Sequence, residues 1–209
     1  MRSSGILMHI SSLPSEGGIG TMGKQAREFV DCLADAGQSY WQILPVCPTS
    51  YGDSPYQSFS TFAGNPYFID LPQLQEKGLL TEAELLENQH TTQRVDYGWL
   101  WNTRFALLRT AFSRFVPGED YAAFCEKHGH WLEDYALFRA LKDYFGGVSF
   151  LEWEDDIRLR KKTAVKKYKT LLAEEIAFCQ YEQYLFMKQW KELKDYANER
   201  NIEIVGDLP

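Results

Sequence analysis

The chain contains no long uninterrupted apolar run. Nowhere do about 18 consecutive apolar residues occur, which is the shortest stretch expected of a membrane-spanning helix. The start of the sequence also lacks a basic segment followed by an apolar stretch, the pattern that directs export. These absences argue against membrane insertion and secretion, and we expect a cytoplasmic protein with no membrane partner.

Closely spaced cysteines are absent as well. The four cysteines, Cys32, Cys47, Cys125 and Cys179, form no C-x-x-C pair, so the common zinc and dithiol spacings are missing. The His128-Gly129-His130 segment has no matching third ligand pattern. We therefore predict reduced, mostly buried thiols, no metal site and no cofactor.

An excess of positive charge is also missing. The net charge of −7 disfavours a surface that binds a polyanion. It does not repel a neutral substrate. One dense basic run, from Arg158 to Lys169, has acidic residues on both sides, which is typical of a solvated helix face with local ion pairs. Nucleic acid is therefore not an expected partner.

The first third of the sequence has the pattern of a strand, a helix and a second strand. Gly5–Ile10 is a short apolar run that predicts a buried strand. Lys24–Ala36 carries apolar residues at helical spacing, with Gly37 placed to end the helix. Ser39–Val46 is rich in aromatic and branched residues and predicts a second strand. A βαβ unit of this kind implies an α/β fold with parallel, buried strands.

Helical periodicity dominates the rest of the chain. It predicts helices over about 81–88, 97–115, 121–144 with a break near Gly129, and 161–199 with interruptions. This length far exceeds one βα crossover, so residues 73–199 are interpreted as a mainly helical inserted subdomain. Residues 1–72 would hold the first two strands, and residues 200–209 a third strand at which the chain is truncated.

Two short motifs leave alternatives open. Gly18-Ile19-Gly20-Thr21-Met22-Gly23 matches G-x-G-x-x-G, but the residues that separate it from the first strand favour a shaped βα loop over a dinucleotide site. His9 lies at the end of the first strand, where it would either face a pocket mouth or sit in the core with its polar atoms satisfied.

The segment from Tyr51 to Asn65 interleaves aromatic rings with hydroxyl, amide and carboxylate groups. Sugars have apolar ring faces that stack on aromatic side chains and hydroxyl rims that need short polar partners. Gly52 and Pro55 predict a shaped turn. The segment follows the second strand and should emerge at the carboxyl edge of the sheet, where both open α/β sheets and (β/α)8 barrels bind ligands.

Several segments together resemble the 4-alpha-glucanotransferase family, whose members are also called amylomaltases or disproportionating enzymes. The matching segments, in order, are Ser11–Pro14, Trp41–Pro45 with Tyr51–Ser58 and Gly64–Tyr67, Arg94–Tyr97, Trp131–Phe138 and Gly206–Pro209. The resemblance implies a (β/α)8 TIM barrel, with this chain holding its first three strands and a large, mainly helical insertion between strands 2 and 3. It also implies transfer of alpha-1,4-glucan segments between maltooligosaccharides.

The resemblance further implies a retaining mechanism, in which a nucleophilic carboxylate and an acid/base carboxyl group lie about 5 to 5.5 Å apart. In this family both groups lie on later strands, so we expect the nucleophile Asp and the acid/base Glu beyond Pro209 and no catalytic residue within the chain. The substrate-binding residues implied by the matching positions are Tyr51, Ser54, Tyr56, Trp101 and Asp207. Tyr51 would belong to a second glucan site, where Trp101 replaces a tyrosine found in some relatives.

Two other functions stay open at this point. A non-catalytic glucan-binding module would use the same aromatic loop without chemistry, and a dehydrogenase would use the glycine-rich loop. For the chain as given we expect no transferase activity and a tendency to self-associate through exposed barrel edges.

Overall fold

The computed structural model describes residues 2–50, 52–91 and 93–209. Its strands are β1 (Gly5–Leu7), β2 (Tyr40–Gln42) and β3 (Glu203–Val205). Its helices are α1 (Lys24–Asp35), α2 (Leu71–Glu76), α3 (Glu82–Leu86), α4 (Tyr97–Arg114), α5 (Glu119–Tyr144), α6 (Asp155–Arg158), α7 (Lys162–Leu171) and α8 (Ala173–Glu199). Short 3-10 helices cover Ile10–Ser12, Pro66–Phe68 and Phe150–Glu152. Within the described ranges, no helix is long and apolar enough to cross a membrane.

The three strands form one parallel sheet with β2 in the centre. Gly5 pairs with Tyr40, and Trp41 pairs with Ile204. The predicted order of strand, helix and strand is confirmed, as is a third parallel strand after the long helical segment. Helix α1 ends at Asp35, two residues before Gly37, whose φ of 67° lies in the left-handed region that glycine adopts at little cost.

The central strand buries Trp41, whereas no residue of the outer strands is buried. Trp41 is fully buried, its Nε1 donates a hydrogen bond to the Met8 carbonyl at 2.7 Å, and its ring lies edge-on to Phe29 of α1. Ile6 and Leu7 of β1 and Val205 of β3 are all exposed. The prediction of a buried first strand is therefore wrong for this chain, because α1 shields Trp41 and not these apolar side chains.

The helices differ from the prediction at Gly129, at α2 and at α6, which was not predicted. No break occurs near Gly129, since α5 runs continuously through it. A single glycine costs a helix only about 1 kcal/mol, and the buried face of α5, which includes Trp131 and Leu132, offsets that cost. Helix α2 was not predicted, although its signals are present: Asp70 caps its N-terminus by accepting a hydrogen bond from the Gln73 amide, and Pro72 occupies its first turn.

The chain forms two compact units. One contains Met1–Val116 and Leu185–Pro209 and holds the sheet with α1 to α4. The other, Pro117–Tyr184, is helical and has its own core, in which Trp153 stacks on Phe145 at a centroid distance of 5.4 Å. The inserted subdomain predicted over 73–199 is wider than this helical unit, and its limits stay a prediction.

The cysteines are free but less buried than expected. Cys179 is buried, Cys47 and Cys125 are half-buried, and Cys32 is exposed. Cys32 lies near the end of α1, next to the buried Leu33. Only one of the four thiols is buried, so the prediction of mostly buried thiols is wrong.

A close contact between a loop glycine and α8 provides a test of packing. We predict that Gly64→Ala lowers the free energy of unfolding by about 1 to 3 kcal/mol. Its new Cβ would lie 2.0 Å from Cδ1 of Phe186, a ring that is only 2% exposed. Gly129→Ala is the matched control: apart from its chain neighbours and the backbone of its own helix, no atom of the described residues lies within 4 Å of its Cβ position. Alanine at this helix position should raise the free energy of unfolding by about 0.5 to 1 kcal/mol. Urea unfolding measures both, and a Gly64→Ala protein as stable as the wild type would contradict the packing.

Candidate functional site

The loop after β2 is a tight turn closed by backbone hydrogen bonds. Thr49 and Ser58 form an antiparallel bridge, and the Ser50 amide donates to the Gln57 carbonyl at 3.1 Å. The Ser50 hydroxyl donates to the same carbonyl at 2.9 Å. Gly52 and Asp53 both have positive φ, of 85° and 54°. The predicted shaped turn is present over the described residues 52–58.

Ser54 lies at the turn and helps to fix the residues that follow it. The Tyr56 amide donates to the Ser54 hydroxyl at 3.3 Å, and the Gln57 amide donates to the Ser54 carbonyl at 3.0 Å. The backbone is thereby folded so that Tyr56 projects from the turn with 51% of its surface exposed. Tyr51 lies outside the described residues, so its predicted place at a second glucan site stays a prediction.

Tyr56 and Asp207 meet although 151 residues separate them in the sequence. The phenolic hydroxyl of Tyr56 donates to Oδ2 of Asp207 at 2.6 Å, and the Leu208 amide donates to Oδ1 at 2.9 Å. The carboxylate is therefore held at both oxygens just beyond the end of β3. Because a hydrogen bond to a carboxylate favours the neutral phenol, Asp207 raises the pKa of Tyr56.

Trp101 is the exposed member of an aromatic row on α4. Tyr97, Trp101 and Phe105 are spaced four residues apart, which places them on one helix face. Trp101 is 54% exposed and lies edge-on to Phe105 at 5.1 Å. Within the described ranges it has no hydrogen bond or ring contact with Tyr56 or Asp207. The structure thus brings Ser54, Tyr56 and Asp207 together and leaves Trp101 apart from them.

Two neighbours of the predicted residues were not anticipated. Burial raises the pKa of Tyr97, and the negative charge of Asp53 raises it further, so the turn and the first residue of α4 lie within electrostatic range. Burial also raises the pKa of the Asp53 carboxyl group. The signals available in the sequence were the Gly52-Asp53 dipeptide, which favours positive φ, and the four-residue spacing from Tyr97 to Trp101.

His9 is a buried residue and not part of this turn. Its ring lies edge-on to Phe68 at 5.3 Å, and Nδ1 has no hydrogen-bond partner among the described atoms. Burial lowers the pKa of His9 to about 4. Of the two alternatives for His9, the structure supports a core position, but with one ring nitrogen left unsatisfied.

The basic run from Arg158 to Lys169 forms local ion pairs, as the charge pattern predicted. The pairs are Arg158 with Asp155, Arg160 with Asp134, Lys161 with Asp156 and Lys169 with Glu133. His128 accepts a hydrogen bond at Nδ1 from the Trp131 indole at 3.3 Å. Across the part of the chain that the structure describes, no group of three or more metal-ligating side chains comes together.

The comparisons with known proteins place the chain in one family. The profile of the 4-alpha-glucanotransferase family matches residues 8–209, and the chain belongs to this family. It is 51% identical to a 4-alpha-glucanotransferase of Clostridium butyricum over 206 residues, which covers 97% of this chain and 42% of that protein. A Thermus thermophilus 4-alpha-glucanotransferase is 46% identical over 215 residues, covering all of this chain and 42% of that protein.

A solved structure agrees with these relatives. Amylomaltase from Streptococcus agalactiae, in complex with acarbose, superposes with a TM-score of 0.94 at 41% identity and covers 100% of this chain. Amylomaltase from Corynebacterium glutamicum, at 20% identity and a TM-score of 0.73, shares the fold. The chain spans 43% of the first structure and 30% of the second, so it corresponds to less than half of each.

From the burial of His9 we predict that the free energy of unfolding decreases as the pH falls. His9 has an ordinary pKa of 6.5, lowered to about 4 in the folded chain, so folding favours the neutral ring. Its contribution to stability is complete above pH 6.5 and is lost as the pH falls towards 4. We predict that His9→Leu reduces the loss of unfolding free energy between pH 7.5 and pH 5, measured by urea unfolding at each pH. The exposed-site control His130→Gln should retain the wild-type loss. An unchanged pH dependence in His9→Leu would refute the assignment.

From the Tyr56–Asp207 contact we predict that substitution of Asp207 changes the pKa of Tyr56. Asp207→Asn removes the carboxylate that favours the neutral phenol, so the pKa of Tyr56 should fall towards its ordinary value. NMR titration of ring-labelled tyrosine measures the change, with Tyr56→Phe assigning the signal. Asp53→Asn is the control, because it should lower the pKa of Tyr97 and leave that of Tyr56 in place. The contact is absent in solution if Asp207→Asn does not move the Tyr56 signal.

Proposed function

We propose that this chain supplies part of the sugar-binding wall of a 4-alpha-glucanotransferase, which transfers alpha-1,4-glucan segments between maltooligosaccharides. The observation that carries the proposal is the exposed hydrogen bond between Tyr56, after β2, and Asp207, after β3. It fixes an aromatic ring and a carboxylate side by side at the carboxyl edge of a parallel sheet, where α/β proteins bind ligands. The names of the relatives and the acarbose complex of the Streptococcus agalactiae amylomaltase support a glucan as the ligand.

The geometry of the pair suits a glucose ring. The Tyr56 hydroxyl donates its hydrogen bond to Asp207, so its oxygen can still accept a hydrogen bond from a sugar hydroxyl. Each oxygen of Asp207 accepts one hydrogen bond in the folded chain and has a lone pair left for another. The exposed face of the Tyr56 ring can contact the apolar face of the sugar. Ser54 holds the turn that presents this ring.

Retaining chemistry assigns the reacting groups to other residues. A nucleophilic carboxylate attacks the anomeric carbon while a carboxylic acid protonates the departing oxygen, and the hydroxyl group of a second sugar then replaces the enzyme. Neither role is given to a residue of this chain. Within this scheme Tyr56 and Asp207 bind and orient the glucose unit next to the reacting bond.

The same proposal includes the remaining architecture. The parallel order of β1, β2 and β3, with apolar Ile6, Leu7 and Val205 exposed, supports a sheet that continues and closes as a (β/α)8 barrel. Residues 73–199 would be the insertion between its second and third strands. Tyr51 and Trp101 would form a second glucan site away from the reacting bond, and the enzyme would act in the cytoplasm.

Two substitutions in the full-length enzyme test the division between the sites. Tyr56→Ala removes a ring contact and a hydrogen bond, so kcat/KM for glucose release from maltotriose should fall about tenfold to a hundredfold. Trp101→Ala should leave maltotriose turnover unchanged and weaken amylose affinity about threefold to tenfold, because only a long glucan would reach the second site. Tyr144→Ala, which removes another exposed aromatic ring, is the control for Trp101.

The outcomes separate the alternatives. Wild-type binding of maltooligosaccharides without any transfer would favour a non-catalytic glucan-binding module. Unchanged amylose affinity in Trp101→Ala would show that Trp101 is not part of the second site. Unchanged kcat/KM in Tyr56→Ala would remove the Tyr56–Asp207 pair from the reacting subsite.

A further inference from the structure

A cavity with mostly apolar walls lies within the helical unit Pro117–Tyr184 and takes no lining residue from the Tyr56 turn. Its volume is about 260 Å³. Leu137 and Phe138 of α5 line one part of it, and Phe150 and Trp153 line another. An apolar cavity of about 150 Å³ accepts benzene, so this one has room for an apolar body of about ten carbon atoms.

Two guanidinium groups, of Arg158 and Arg160, are the charged groups of this lining. Their side chains are 32% and 58% exposed, so a ligand that enters from solvent can reach both. One terminal nitrogen of Arg158 donates to Asp155 at 2.7 Å, and one of Arg160 donates to Asp134 at 2.6 Å. A guanidinium has five N–H donors, so each group has donors left for a ligand in the cavity.

The backbone of Arg160 is unusual for a residue with a side chain. Helix α6 ends in a Schellman motif, in which the Arg160 amide donates to the Ile157 carbonyl at 2.9 Å and the Lys161 amide donates to the Asp156 carbonyl at 2.8 Å. The φ of Arg160 is 54°, at a position that glycine usually occupies because a Cβ disfavours it. The ion pair with Asp134 is exposed and contributes little in return. A binding role for the guanidinium would explain why arginine stands there.

The segment around the cavity is basic although the chain as a whole is acidic. Residues 150–172 carry seven basic and four acidic side chains, whereas the net charge of the chain is −7. Glu133 and Asp134 of α5 pair with two of these basic residues, and a positive excess remains. A small anion is therefore attracted to this segment and not to the rest of the surface.

We propose that this cavity binds a small aromatic carboxylate with about ten carbon atoms in its apolar body. The carboxylate would accept hydrogen bonds from Arg158 and Arg160, since guanidinium groups match its geometry. The rings of Phe138 and Phe150 lie 5.6 and 6.4 Å from that of Trp153, measured between centroids, and favour an aromatic body over a saturated chain. A glucan does not fit this description, because the apolar walls would leave its hydroxyl groups unpaired. The site is independent of the proposed transferase function.

Calorimetry with 2-naphthoate and the full-length protein tests the proposal. We expect one site per chain, with the neutral analogue 2-naphthalenemethanol bound at least about tenfold more weakly. Arg160→Gly should weaken naphthoate binding at least about tenfold and raise the urea midpoint of unfolding, because glycine adopts the positive φ at little cost. Lys166→Ala is the matched control: it removes an exposed positive charge from α7 that does not line the cavity and should bind naphthoate as the wild type does.

Several outcomes would overturn this assignment. They are the absence of naphthoate binding, equal affinity for the acid and the alcohol, and unchanged binding in Arg160→Gly. An equal loss in Lys166→Ala would also do so, because it would reflect general attraction and not a built site. Self-association that Phe150→Ser abolishes, in a protein that does not bind naphthoate, would make a second copy of the chain the occupant. Maltotriose turnover, measured in parallel, bears on the transferase proposal alone.

Discussion

The parallel pairing of β2 with both β1 and β3 is the constraint on which the rest of the structure depends. Parallel strands place their carboxyl ends at one edge of the sheet, so the segments that follow β2 and β3 emerge side by side. Trp41 anchors this arrangement, since it is fully buried and hydrogen-bonds across to the Met8 carbonyl. Tyr56 and Asp207 meet because of this register and not because of any proximity in sequence.

Hydrogen bonds to α1 hold the end of α8, from which the chain returns to the sheet. Asp31 of α1 accepts hydrogen bonds from the Tyr196 hydroxyl and from Arg200 Nε, at 2.9 and 2.5 Å, and the Arg200 guanidinium lies over the Tyr196 ring. These contacts sit just before β3 and fix its entry beside β2. The entropy of closing a loop rises by only about 0.6 kcal/mol for each doubling of its length, so a long excursion between β2 and β3 costs little once this anchor exists.

The sequence predicted features that depend on local pattern and missed those that depend on packing. Helix α1 followed from apolar spacing and from Gly37, because both act within one helix. The exposure of Ile6 and Leu7 could not be predicted, since an apolar run does not reveal which faces of a strand are covered. The family resemblance was needed to assign Tyr56 and Asp207 to the same substrate-binding site, and only the structure showed the hydrogen bond between them. Arg104 gave no signal, because a charged residue in a helix is ordinarily expected at the surface.

Exposed and buried polar pairs in this chain serve different ends. Water competes for the Tyr56–Asp207 hydrogen bond, so this pair contributes little to folding, and its geometry is better explained by the groups it presents to a ligand. Asp70 and Arg104 are shielded from water, so removing either would leave the other charge buried and uncompensated. That coupling favours keeping the Arg104 guanidinium charged on the buried face of α4, and the cost falls on its Nε, which has no hydrogen-bond partner among the described atoms.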